Sequence, residues 1–110
     1  AMNRSFEFIE LSIFDLPGPL TYNLILGLNI FHHFIRDPAM LEKFCGLLGR
    51  LDAEYMFFEP HCFEELDKPE IYKNMAEEEF IAFILERSCF TDSEEIGLAR
   101  NGRRVFLLRR

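Results

Sequence analysis

The sequence predicts a single α/β domain over residues 1–110, built on a mixed sheet with parallel strands and a C-terminal antiparallel β-hairpin. Three observations carry this expectation. Tyr22–Leu28 is an apolar run without charge, bounded by turn residues, as expected of a strand buried on both faces. A second such run, Ala53–Phe58, follows one helix-length later, and strand–helix–strand crossovers join parallel neighbours. Asn101-Gly102 sits between the strand-like runs Glu94–Ala99 and Arg104–Leu108, a strong short-range signal for a hairpin.

The remaining elements follow in order. Phe6–Leu11 alternates in part and reads as a short strand. Asp15-Leu16-Pro17-Gly18-Pro19 ends it, because each proline fixes φ and lacks a donor. Asp37-Pro38 opens a helix, with Asp37 capping free N–H groups and Pro38 at the first helical position. Met40, Leu41, Phe44, Leu47, Leu48 and Leu51 then form one apolar stripe at spacings of three and four. Cys62–Lys73 is an irregular connection with room for a short helical turn. Asn74-Met75-Ala76-Glu77 reads as a capping box for a second helix. That helix turns Phe80, Ile81, Phe83, Ile84 and Leu85 to the core.

Composition narrows the function classes. Apolar residues make up 49% of the chain and thirteen residues are Phe, which is enough to build a core and argues against disorder. No apolar run approaches the ~20 residues that span a bilayer. Arg4, Glu7 and Glu10 interrupt the pattern that a signal peptide needs. Cys45, Cys62 and Cys89 are odd in number and widely spaced, which suits free thiols in a reducing compartment such as the cytoplasm. The net charge of −7 disfavours nucleic acid and anionic membranes as partners. The one basic cluster, Arg100, Arg103, Arg104, Arg109 and Arg110, reads as a solvated hairpin and tail.

Polar residues gather where the two buried runs end. Asn29, His32 and His33 follow the first; Glu59 and His61 follow the second. Open α/β sheets bind ligands at the carboxyl ends of their strands, so these ends should face a ligand crevice. Imidazole titrates near neutrality, so one of His32 and His33 is a candidate general base. The competing roles are packing under the next helix and facing solvent. A carboxylate at Glu59 could orient a hydroxyl or amine, or form a structural ion pair. His32, His33, His61 and Cys62 match no zinc spacing, and no metal site is assigned.

The strings resemble the C-terminal half of the class I S-adenosylmethionine-dependent methyltransferases, and the resemblance covers nearly the whole chain. Tyr22–His33 looks like the family's fourth strand and its Asn and His-His ending. Met56-Phe57-Phe58-Glu59-Pro60 is similar to the fifth strand. Phe80–Phe90 resembles the helix that ends in Gly-Phe, and the Asn101-Gly102 hairpin matches the sixth and seventh strands. The resemblance implies a partial Rossmann-like three-layer sandwich. It also implies S-adenosylmethionine as cofactor, with Ser12, Ile13 and Asn29 beside it. His32 and His33 would serve as catalytic residues, and Glu59 and His61 would contact a small-molecule acceptor. Asn29 has a competing role in capping the turn after its strand.

Two departures bear on this. No G-x-G occurs in the sequence, so the family's glycine-rich cofactor loop is absent, as is the acid that holds the ribose. Where the family often carries Asp near the adenine, this chain has Ser12. The 110 residues should therefore bind cofactor poorly. The strand that neighbours Tyr22–Leu28 in the family is also missing, which leaves an edge open. Either Phe6–Leu11 covers it or two copies pair there as a homodimer. A non-catalytic association module is the alternative that this edge suggests.

Overall fold

A computed structural model describes residues 12–28 and 30–110. Four strands and two helices make up the frame: β1 (Leu20–Leu28), α1 (Pro38–Arg50), β2 (Leu51–Glu59), α2 (Glu77–Arg87), β3 (Asp92–Leu98) and β4 (Arg104–Arg109). The sheet order is β1-β2-β4-β3. β1 and β2 are parallel, and β4 runs antiparallel to both of its neighbours. This is the expected partial Rossmann-like α/β arrangement with a mixed sheet. The strand proposed for Phe6–Leu11 lies outside the described residues.

Both helices pack on one face of the sheet. Ile25 and Gly27 of β1 are in register with Met56 and Phe58 of β2, which pair with Leu108 and Phe106 of β4. The last four are buried under the helices. The phenylalanines explain how two helices share so narrow a sheet. Phe44 of α1 stacks on Phe83 of α2 at 6.1 Å and meets Phe31 at 5.0 Å. Phe58 meets Phe31 and Phe80 at 5.6 and 5.2 Å. Tilted and edge contacts of this kind add roughly 0.5–1.5 kcal/mol each to the burial of the rings. Gly27 suits the same packing: a Cβ there would lie 3.1 Å from Phe31 Cζ, so the ring would have to give by a few tenths of an ångström.

The opposite face carries no helix among the described residues. Tyr22, Leu24, Leu26, Leu28 and Tyr55 are exposed, Leu26 at 62%. β1 is therefore not buried on both faces, as its composition alone suggested.

Several local expectations need correction. Leu51 does not continue the helical stripe; its backbone is extended and it opens β2 directly after Arg50. Asn74 does not cap α2. The N-cap is Ala76, without a side-chain bond, and Glu77, Glu78 and Glu79 in the first turn complement the helix dipole instead. Asp37 caps α1 as expected, its carboxylate accepting the Met40 N–H at 2.9 Å. The hairpin turn is closed by Gly102 N–H donating to the Ala99 carbonyl, and Gly102 follows at φ +83. Arg100 and Asn101 are thus the central turn residues, and glycine supplies the left-handed position after them. A register shift between Glu95 and Gly97 marks a bulge in β3. The three cysteines are free and half-buried.

Candidate functional site

The parallel pair β1 and β2 sets the site. Leu28 is in register with Glu59, so both strands finish at one end of the sheet. β1 leads into a 3₁₀ turn, Phe31–Ile35, whose Phe31, Phe34 and Ile35 are buried. Those three anchors leave His32 half-buried and His33 exposed. β2 continues as Glu59-Pro60-His61. The β3–β4 hairpin returns its turn to the same end, because β4 starts opposite the end of β2.

The structure brings three histidines together. His32 and His33 lie with ring centroids 4.0 Å apart, and His32 and His61 at 6.0 Å. The line runs from the surface at His33 to the interior at His61, which is 1% exposed. His61 also meets the Phe80 ring at 5.8 Å. Burial lowers the His32 pKa to about 4, helped by His33, His61 and Arg103, so this ring is neutral at pH 7.

An ion-pair network closes the rim. Glu59 is buried at 8% exposure and accepts from Arg103 and Asn101, each at 3.4 Å. Arg103 is bound on its other side by Glu65, with Nε 3.1 Å from Oε1 and a second, shorter bond to Oε2. That fork holds the Glu65 carboxyl at a pKa of about 2. Glu65 also accepts the Cys62 N–H at 2.9 Å, which fixes the 3₁₀ turn Phe63–Leu66. Among the described residues, no group of three or more His, Cys, Asp and Glu is arranged to hold a metal ion.

The other expected site residues are placed as follows. Ser12 caps the 3₁₀ turn Ile13–Asp15, its hydroxyl accepting the Phe14 N–H at 3.3 Å. Ile13 lines an apolar cavity of about 150 Å³ beside β1, with Ile25, Leu26, Ile30, Leu47 and Leu51 among its other walls. Asn29 lies outside the described residues. Sequence reasoning missed Arg103, Glu65, Asn74 and Asn101. Arg103 and Asn101 read as turn residues, and only the return of the hairpin to the ends of β1 and β2 brings them to Glu59.

No family model matches the chain, and no curated protein does. Solved structures do. A protein assigned as an O-methyltransferase from Nostoc punctiforme aligns with a TM-score of 0.61 at 18% identity, over 93% of this chain and 35% of its own. The N-methyltransferase NodS from Bradyrhizobium japonicum aligns at 0.58 and 11% identity, over 92% of this chain and 57% of its own. WbdD aligns at 0.52 and 16% identity, over 88% and 22%. The chain thus spans 35% of the length of the first of these and 57% of the second. Read with the strand order and the terminal hairpin, these likenesses give the chain a partial Rossmann-like α/β fold, shared with part of these methyltransferase structures.

Proposed function

We propose that the protein takes part in S-adenosylmethionine-dependent methyl transfer to a small-molecule acceptor, with this chain supplying the acceptor side of the site. The observation that carries the reading is the register of Leu28 with Glu59, which brings His32, His33, Glu59 and His61 to one end of a parallel strand pair. Ligands of open α/β sheets bind at such ends.

The residues fit the cofactor in part. Ser12 and Ile13 offer a hydroxyl and an apolar wall beside β1, suited to a purine and its amino group. Nothing in the sequence supplies the glycine-rich loop or the ribose acid. Bound S-adenosylmethionine supplies an electrophilic methyl group on a sulfonium. The chain's own part is to orient the acceptor and to receive its proton. Positioning alone provides much of the rate in such a transfer, because the nucleophile, carbon and sulfur must align. Of the rim groups, His32 is best suited to take a proton: it is neutral and half-exposed, whereas Glu59 is occupied by Arg103 and Asn101.

Titrating S-adenosylhomocysteine into ¹⁵N-labelled chain tests the reading. Binding should be weak, with amide shifts concentrated at Ser12, Ile13 and the turn Phe31–Ile35. Shifts spread elsewhere, or none at millimolar ligand, would count against it. Tight binding would show that the missing loop is not needed.

A further inference from the structure

Among the described residues, buried side-chain polar atoms without a partner occur in two places. Nδ1 of His32 and Nδ1 of His61 belong to the strand ends, where the other His61 nitrogen, Nε2, lies 2.8 Å from Asn74 Oδ1. The second place is Arg50 in the last turn of α1, whose Nε and Nη2 are both enclosed and unbonded. A guanidinium stays charged in proteins and can only donate. Enclosing its N–H groups without acceptors is costly, and native structures seldom leave such groups unmatched. The helix dipole accounts for a positive charge at this end of α1. It does not account for enclosed donors.

Arg50 also lines a cavity of about 210 Å³, together with Phe14, Lys43, Gly46 and Leu47. Positions 43, 46, 47 and 50 recur at spacings of three and four, so one face of α1 presents all four. The middle of that face is bare, because a Cβ built on Gly46 would meet nothing within 4 Å. Glycine weakens a helix, and here it leaves open space between two cations. Phe14 reaches the cavity from the 3₁₀ turn Ile13–Asp15, its ring edge-on to Phe34 at 4.9 Å. Among the described residues, neither Lys43 nor Arg50 forms an ion pair with an acid.

We infer that this cavity binds the phosphate end of a small phosphate monoester, with Arg50 as the enclosed cation, the exposed Lys43 as the outer one, and Phe14 and Leu47 against the ligand's apolar body. A phosphate monoester carries close to two negative charges at neutral pH, which matches two cations; a carboxylate carries one. The guanidinium fork also suits phosphate oxygens. Both cations are needed, because the net charge of −7 and the carbonyl end of the helix oppose an anion. The site uses α1 and the turn before β1, apart from the histidines at the strand ends.

Titrating phenyl phosphate into ¹⁵N-labelled chain at pH 7.5 tests the inference. Amide shifts should centre on Phe14, Lys43, Gly46 and Arg50. Arg50→Gln and Lys43→Gln should each weaken binding by about tenfold or more. Lys43 is exposed, so its variant keeps the fold even if that of Arg50 does not. Gly46→Leu should abolish binding by filling the space. Arg100→Gln removes the same charge from the exposed hairpin turn and should leave binding unchanged. Inorganic phosphate should give the same pattern more weakly. The inference fails if millimolar phenyl phosphate shifts none of these amides, or if Arg100→Gln weakens binding as much as Lys43→Gln. Equal affinity for inorganic phosphate would show a site for the free anion and overturn the ester.

Discussion

His32 and Glu65 sit on one rim, and both resist gaining a proton, for opposite reasons. His32 is desolvated and faces other cationic or basic groups, so its pKa falls from 6.5 to about 4. Between these values the unfolded chain binds a proton that the folded chain refuses. Stability should fall as pH drops through this window and level off below it. Glu65 is held ionised by its hydrogen bonds to Arg103, its pKa falling from 4.5 to about 2. Its contribution is complete above 4.5 and is lost as pH falls towards 2. Glu78 and Asp92, bound by Arg104 and Arg109, are lowered in the same direction, so what they contribute is likewise lost as pH falls. Urea midpoints measured from pH 8 to 2.5 should therefore decline in two overlapping steps. His32→Asn should flatten the upper step and leave the lower one.

Among the elements, α1 shows how directly residue chemistry fixes a boundary. The Asp37 carboxylate satisfies Met40 N–H, and Pro38 needs no donor of its own. Asp37→Ala should cost about 1 kcal/mol in urea unfolding; no change would mean that Pro38 alone sets the start. This helix was legible because its cap and its stripe agree. The start of α2 was not. Asn74 has the right chemistry for a cap, but a buried histidine competes for it, and nothing local announces His61 as buried. The same limit hid the rim network. The strand ends carrying His32, His33, Glu59 and His61 could be read from apolar runs that stop. Arg103 and Asn101 arrive from the far end of the chain, and their role depends on a strand order that no local pattern encodes.

At the scale of the molecule, the described residues cover the sheet with helices on one side only. The helix-bearing face is closed by Phe31, Phe44, Phe58, Phe80 and Phe83, while Tyr22, Leu24, Leu26, Leu28 and Tyr55 face outward. β1 pairs with β2 alone among the described residues, and its sequence Leu20–Leu28 carries no charge to discourage another strand. The isolated chain is expected to form dimers through this edge despite its net charge of −7. Size-exclusion chromatography with light scattering should show mass rising with concentration, and Leu26→Lys should return it to that of a monomer. A monomer at high concentration would rule the dimer out.

The contact between Gly27 and Phe31 has a consequence for the rim. The ring of Phe31 rests where a side chain on β1 would stand, 3.1 Å from the place of a Cβ. The same ring begins the turn that carries His32 and His33. Position 27 therefore acts as a spacer between the sheet and the histidines. A Cβ added there would press on that ring, so the seat of the turn that carries the two imidazoles depends on the absence of a side chain in the strand.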